Sequence, residues 1–432
     1  MANTLNLGDG KWARKEGSLL AYNSENNNYK PLPFTFDRAS SATRVNKDGL
    51  IETVGADQPR VDYLNDSNGA LKLEPSRTNL ITYSEDFSNA IWTNTGAAIS
   101  VNPTADLSPD GTLTGNEFNE GTSSGRRAIF EDLSVTANEI NTLSVFVKKG
   151  TSNHLRLVIG ENGDGTDWTA VQVDLSNNSL STNDGSGNSF TDISSSISSF
   201  DYNGYYRLQL SAKHPTATSL RLLFCTSNGN AIAPSNSYGR PDYTGTNKTV
   251  FVWGCQLESN SSYATSIIKT QGSAVTRLAD VCNNSGNDQV INSTEGVLYA
   301  EISALANDLT ERRITISDGT TSNRVAIEYT LSSNQIKGRV VSSSTTSANM
   351  NFTASSIVDF SKIAISYKQN EFNLWINGTK VATDTSGSVP IGLNELAFDN
   401  GAGNDKFNGN VKDVRVYNTA LTDQELAALT QV

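Results

Sequence analysis

Two histidines, His154 and His214, stand among 45 aspartates and glutamates in a chain of 432 residues, so acid–base chemistry here falls to carboxylates or to one of two imidazoles. A retaining glycosidase sets two carboxyl groups roughly 5 Å apart, most simply from alternate positions on one strand face. The spacings Glu-x-Asp-x-Glu and Glu-x-Asp-x-x-Glu do not occur. Glu85–Asp86 and Glu131–Asp132 are adjacent pairs whose side chains would diverge to opposite faces of a strand, and they read as solvated turn residues. A serine hydrolase finds little support either. Neither histidine has an evident partner, His214 precedes Pro215 and is biased to an extended loop, and no nucleophile elbow at a strand-to-helix turn is evident. The chain is therefore expected not to be an enzyme.

Metal chemistry is no better supplied. Cys225, Cys255 and Cys282 are odd in number and lack a Cys-x-x-Cys spacing, which suggests neither a disulfide framework nor a zinc site. Asn162 to Asp167 places oxygen side chains at alternate positions, but it lacks the glycine at the sixth place and the acid at the twelfth that a calcium loop of the EF-hand kind needs. It reads as a plain turn, and no cofactor is expected.

Sugar recognition would show in the aromatic residues, because apolar C–H faces of sugars stack on exposed rings while Asp, Asn, Gln and Arg meet the hydroxyls. Trp168 follows Asn162, Asp164 and Asp167 in an expected turn. Trp375 alternates with Leu374 and Ile376 and so faces away from them, and Tyr238 and Tyr243 flank the loop Gly239-Arg240-Pro241-Asp242. These four are the candidate ligand-binding residues. Packing on a sheet edge or on a neighbouring subunit stays open for each.

The elements that must position them are strands. Ser, Thr, Asn and Gly are abundant, as suits short strands joined by polar turns. Runs such as Leu143–Val147, Leu155–Ile159, Leu208–Leu210, Leu220–Phe224 and Val250–Trp253 each end in turn residues. A second series begins at Ile291 and includes Gly296–Ile302, Arg324–Tyr329 and the pair Lys362–Tyr367 and Phe372–Ile376, joined by a hairpin-like loop. Thr422 and Glu425 form an expected capping box for one short closing helix with Leu421, Leu426 and Leu429 on its apolar stripe. The expected fold class is all-β. An extended amino-terminal arm over residues 1–78, broken by Pro31, Pro33 and Pro59, precedes two tandem antiparallel β-sandwich (jelly-roll) domains at 79–280 and 291–432, with a polar linker at 281–290. Trp12, Leu19, Leu20, Tyr22, Tyr29 and Phe34, scattered through the polar arm, read as anchors for a partner surface.

A net charge of −12 disfavours nucleic acid and anionic membranes as partners. No apolar run approaches the roughly 20 residues that span a bilayer, and the amino terminus lacks the apolar stretch of a signal peptide, so synthesis in a cytoplasm is expected.

Specific motifs add to this reading. Residues 38–51 read RASSATRVNKDGLI, then LEPSRTNL follows from Leu73, WGCQLE from Trp253, ATS at 264–266 and AVTRLAD at 274–280. This series resembles the fibre family of tailed-bacteriophage virions, in which such segments frame a carbohydrate-binding-module-like sandwich. Modules of that type often hold a structural calcium near an acidic pair, but the matching positions here are Trp253 and Gly254, so the resemblance leaves calcium unsupported. The carboxy-terminal pattern, SYKQNEFNLWINGTKV followed by GNVKDVRVYNTALTDQELAAL, is similar to laminin-G-like, concanavalin A-like jelly rolls. Together they imply a virion protein made in the host cytoplasm and assembled as a homo-oligomer with other capsid, tail or fibre subunits. Two roles follow from the resemblance: a fibre subunit that recognises host surface glycans through lectin-like domains, or an architectural decoration or connector without receptor binding of its own.

Overall fold

The computed structural model describes residues 5–15, 18–20, 34–64, 66–96, 100–103, 107–187, 189–230 and 237–432. As expected, it is built almost wholly of antiparallel strands. Helix among the described residues is confined to Asp423–Thr430 and a single 3-10 turn at Ser237–Gly239, and no helix is long and apolar enough to cross a membrane.

The strands form two compact units. In sequence one is nested in the other: a central unit of Val45–Thr53 and Arg77–Arg277, and a terminal unit of Met1–Arg44, Val54–Ser76 and Leu278–Val432. The boundary therefore falls at Arg277, and neither the tandem order nor the linker at 281–290 holds. Val281–Asn283 is a strand paired with Phe34–Asp37, and Cys282 and Ile291 are buried in the core of the terminal unit.

The central unit is a sandwich. One sheet runs Ser100–Pro103, Asn116–Asn119, Thr249–Ser259, Ile140–Lys149, Tyr206–Lys213, Thr191–Ile197; the other contains Thr93–Gly96, Ser124–Ser134, Ser219–Thr226, His154–Glu161 and Trp168–Asp174 in that order. Alternation along these strands sends Leu143, Val145, Val147, Leu155, Leu157, Ile159, Leu222 and Phe224 into one shared core. Gly254 takes a left-handed φ of +63° where the ladder between Ile140–Lys149 and Thr249–Ser259 shifts register, a bulge position that favours glycine.

In the terminal unit the sheet Thr379–Asp384, Glu371–Ile376, Ser361–Lys368, Glu295–Ala304, Gly409–Tyr417, Ala70–Leu73, Arg60–Asp62 is joined by Leu5–Gly8, which pairs with Gly409–Tyr417. It shares its core with the sheet Thr345–Thr353, Gln335–Ser342, Arg324–Tyr329, Arg312–Ser317, Glu395–Ala397. The segment expected as an extended, partner-anchoring arm thus contributes strands to this sandwich. Leu5, Leu7, Phe34 and Phe36 are at most 1% exposed and belong to its core, each stabilising it by about 1.5–3 kcal/mol through burial. Trp12 packs against the same core and donates from Nε1 to the Asn68 carbonyl at 2.9 Å. Leu19 and Leu20 lie on the strand Ser18–Leu20, paired with Ala13–Lys15; Tyr22 and Tyr29 lie outside the described residues. Trp12 and Phe34 are therefore packing residues of the chain's own sandwich. A polar composition hid this because each strand is short and the partners of Leu5–Gly8 and Phe34–Asp37, in Gly409–Tyr417 and Val281–Asn283, lie hundreds of residues away.

The motif residues owe their spacing to buried polar networks. In the terminal unit Arg38 Nη1 donates to Asp280 Oδ1 at 2.9 Å, Arg60 pairs with the other Asp280 oxygen, and Arg60 Nη1 donates to Glu74 Oε2 at 2.7 Å; all four side chains are at most 2% exposed. Two guanidinium and two carboxylate groups balance, which is what makes the burial tolerable. Burial by itself would lower the Arg60 pKa, but Asp280 and Glu74 outweigh it and raise it. In the central unit Asn79 is fully buried and satisfied on every side: Nδ2 donates to the carbonyls of Cys255 and Ile268, and Oδ1 accepts from the amides of Ile81 and Leu257. Glu258 accepts from Thr265 N at 2.8 Å and Thr265 Oγ1 at 2.9 Å.

Candidate functional site

Three of the four candidate rings are interior. Trp168 is 1% exposed: it opens the strand Trp168–Asp174 rather than sitting in a turn, and it belongs to a small second core with Ala128, Phe130, Val158, Leu223 and Tyr238. Gly239, with φ +56°, passes so close that a Cβ there would lie 2.6 Å from the Trp168 ring. Tyr238 is buried against it and accepts from Gly163 N through its hydroxyl. Trp375 does face away from Leu374 and Ile376, but the closing helix covers it, with Leu426, Tyr299 and Tyr417 packed around the ring. That helix carries the expected capping box, with Glu425 Oε2 accepting from Thr422 N at 2.9 Å. Tyr243 is half-buried; its hydroxyl donates to Glu120 Oε2 at 2.7 Å and Arg127 lies 4.5 Å over its ring. The three buried rings offer no open stacking face, Arg127 lies over one face of Tyr243, and of the four only Trp168 and Tyr238 share a cluster.

The histidines do have partners. His214 Nε2 lies 3.2 Å from Asp167 Oδ2 and 3.9 Å from Glu161 Oε2, the one trio of possible metal ligands among the described residues. Its Nδ1, however, accepts from Ala217 N at 2.8 Å and Thr216 N at 3.3 Å. With two N–H groups aimed at Nδ1, the neutral ring must carry its proton on Nε2, where a metal would need a lone pair. The trio is a carboxylate-clamped imidazole, and an imidazole nitrogen is in any case a poor match for calcium's oxygen shell. In the turn Asn162–Asp167, Asp164 Oδ1 accepts from Thr166 N and Oγ1, the hydrogen bonding of an ordinary Asx turn. Among the described residues neither histidine ring is hydrogen-bonded to a serine, threonine or cysteine side chain acting as a nucleophile through it. The run Gly121-Thr122-Ser123-Ser124-Gly125 leads into the strand Ser124–Ser134, not a helix, and its Ser123 carbonyl is engaged by Arg127.

One of the two carboxylate pairs, Glu131–Asp132, lies on a strand rather than in the expected turn. Glu131 is a strand residue, 2% exposed, on the opposite face from Asp132, which pairs with Arg221 at 2.7 Å. Burial pushes its carboxyl up to about 7, Asp132 adds to the rise, and the Thr82 hydrogen bonds offset only part of it. Glu85 and Asp86 stand in a loop, where they wall a cleft.

That cleft, of about 280 Å³, lies in the central unit and is lined by Tyr83, Glu85, Asp86, Leu113, Thr114, Asn116, Thr270 and Gln271. Its walls are tied together through the backbone. Thr270 N donates to Ser84 Oγ at 2.9 Å, Ser84 N to Thr270 Oγ1 at 3.0 Å, Cys255 N to Ser84 O at 2.8 Å, and Gly272 N to Thr82 O at 2.7 Å. Trp92 Nε1 donates to the Tyr83 carbonyl at 3.1 Å and Trp253 Nε1 to Thr114 Oγ1 at 3.0 Å, so two buried tryptophans brace the site from behind. Asn116 forms the floor at 1% exposure. Its Nδ2 donates to Glu85 O at 2.7 Å and Thr114 O at 3.0 Å, while its Oδ1 has no partner. Lys269 sits beside the cleft, 5.0 Å over the Trp253 ring, 3.1 Å from Glu85 and bonded to Asp110. Burial is the largest influence on Glu85 and raises its pKa, against the pull of Lys269. Burial also acts upward on Asp110, but hydrogen bonds from Lys269, Thr112 and Ser108 prevail and hold it at about 2. Leu113 is 59% exposed at the rim, an apolar side chain beside a half-buried tyrosine ring and a set of hydrogen-bonding groups. This is the chemistry of a small polyol site. The signal was absent from local sequence because the cleft draws on three separated segments, 83–86, 113–116 and 270–271.

A second hollow, of about 320 Å³, lies in the terminal unit over Phe352, Ile376 and Val381, with Phe360, Asp359 and Asn377 at its rim.

Residues 300–427 match the family model of the Concanavalin A-like lectin/glucanases superfamily. The match lies within the terminal unit and agrees with the jelly-roll pattern read from SYKQNEFNLWINGTKV. Among solved structures, the chain is similar to the Ruminococcus gnavus IT-sialidase CBM40 bound to α2,3-sialyllactose, at 16% identity over 33% of this chain and 86% of that one with a TM-score of 0.29. It is also similar to mouse laminin α1 domains LG4-5, at 9% identity over 70% and 90% with a TM-score of 0.23, and to Trypanosoma rangeli sialidase, at 9% identity over 96% and 81% with a TM-score of 0.27. No curated protein matches the sequence.

Proposed function

We propose that this chain is a non-catalytic carbohydrate-recognition protein whose central unit binds a sugar in the Tyr83–Gln271 cleft, and that it serves as a fibre or fibre-associated subunit of a tailed-bacteriophage virion. The observation that carries the first part is the cleft itself: a braced hollow with one aromatic ring, an exposed leucine and an unpartnered acceptor in its floor. The lectin/glucanase superfamily match of residues 300–427 supports a lectin-like reading of the terminal unit. Recognition rather than hydrolysis is favoured because Asp110 Oδ1 accepts from Ser108 and Thr112, its Oδ2 pairs with Lys269, which also holds Glu85, and Asp86 Oδ1 is tied to Ser88 in its own turn. The virion role rests on the sequence motifs alone.

Affinity for a single site should fall in the millimolar to micromolar range, about −4 to −8 kcal/mol, since a shallow cleft with one ring gains little after ordering costs. Calorimetry of the full chain against an oligosaccharide panel tests it. Tyr83→Ala, and separately the exposed Leu113→Asp, should each weaken binding at least about fivefold with melting temperature preserved for Leu113→Asp. Absence of binding across the panel, or binding indifferent to both changes, removes the cleft from consideration and leaves the connector role. Immunogold labelling of purified particles tests the virion assignment.

A further inference from the structure

Resting on the sugar-binding reading of the cleft, we infer that it selects glycans that are uncharged or carry a free amino group, and that it excludes acidic sugars. Two independent observations lead there. The first is charge. Glu85 and Asp86 line the cleft and Asp110 lies behind it, whereas no cationic side chain is among the lining residues. Lys269 is the nearby cation, and its ammonium is already committed to Glu85 at 3.1 Å and to Asp110. Recognition of a carboxylate or sulfate normally relies on an uncommitted cation, most effectively an arginine fork. An acidic sugar entering here would meet the two lining carboxylates, Glu85 and Asp86, and no lining cation.

The second observation is the floor. Asn116 is 1% exposed and its amide orientation is fixed, because Nδ2 must be the atom facing the carbonyls of Glu85 and Thr114. The oxygen is therefore the atom left without a partner. That oxygen has almost no accessible surface and the amide N–H groups are already committed to the carbonyls of Glu85 and Thr114, so the floor offers a ligand's carboxylate no amide donor. The wall likewise offers it no lining cation. A sugar ammonium brings three donors and the complementary charge, an N-acetylated sugar brings one amide N–H, and a sialic or uronic acid brings further acceptors to a site that has no use for them.

Calorimetry on the full chain with three probes tests the selectivity: fully deacetylated chitotriose, N-acetylated chitotriose and 3′-sialyllactose. The deacetylated trimer should bind roughly fivefold tighter than the acetylated one at low ionic strength, with the gap closing as salt is raised. Sialyllactose should show no saturable binding. Asp86→Asn keeps the turn acceptor that Asp86 Oδ1 offers to Ser88 N at 3.1 Å but removes its charge, and it should shrink the gap. Sialyllactose binding as tightly as the chitotrioses, or a gap insensitive to both salt and Asp86→Asn, overturns the selectivity. If all three probes bind alike and Leu113→Asp abolishes binding, the cleft remains a sugar site and only the selectivity falls. If none binds, or Leu113→Asp and Tyr83→Ala change nothing, the sugar-binding reading falls and takes the selectivity with it.

Discussion

Arg38 Nη1 donates to Asp280 Oδ1 at 2.9 Å with both side chains fully buried, although 242 positions of sequence separate them. Asp280 also receives Arg60 and the Glu74 amide, the latter at 2.8 Å, so one carboxylate closes the terminal unit around its two ends. Asp280→Ala should cost about 3–5 kcal/mol, because the buried Arg38 guanidinium loses its Asp280 counter-charge and Arg60 is left with Glu74 alone of its two. Chemical denaturation of the variant checks this; a loss under about 1 kcal/mol means the network contributes little.

Glu131 gives the fold a pH dependence of known sign. Its folded-state carboxyl is pushed from the ordinary 4.5 up to about 7, so the folded protein holds this proton more tightly than the unfolded chain. The stability it contributes is fully present below pH 4.5 and is lost as pH rises to about 7. Glu131→Gln should therefore be nearly neutral in acid and more stable than the parent above pH 7. Melting temperatures of both proteins from pH 4 to 8 decide it, and parallel profiles count against the buried acid.

Removal of residues 2–36 should destroy the terminal unit rather than trim an arm. It takes away Leu5, Leu7, Phe34 and Phe36 from the core and the strand that pairs with Gly409–Tyr417. Loss of one cooperative melting transition is expected. A truncated chain that still melts with two native transitions shows that the segment is dispensable.

Trp375→Ala should behave as a core mutation, costing about 3–5 kcal/mol, because the closing helix seals the ring against Tyr299 and Tyr417. Sugar binding measured at a temperature where the variant is folded should match the parent. Reduced affinity with unchanged stability would return this ring to the list of contact residues.

Much of this protein was legible in its sequence. Period-two alternation from Leu143 to Phe224 and from Gly296 to Ile376 declared an all-β chain, since a strand exposes its burial pattern within a few residues. The capping box at Thr422 and Glu425 fixed the start of the closing helix for the same local reason. Alternation also gave the face on which Trp375 lies. It could not say that the face is covered, because the cover is another element, the helix around Leu426. Everything decided at long range had to wait for the tertiary structure. Leu5 to Gly8 reads as polar arm until Gly409–Tyr417 stands beside it. Asp280 and Arg38 read as motif letters until they meet in the interior. Tyr83, Leu113, Asn116 and Gln271 share no local pattern, and they become one cleft because hydrogen bonds between Ser84 and Thr270 and from Asn116 to the Glu85 carbonyl hold three distant segments side by side. Local chemistry sets which strands form; which of them meet is a matter of global packing, where each contact joins residues that carry no mark of one another in the chain.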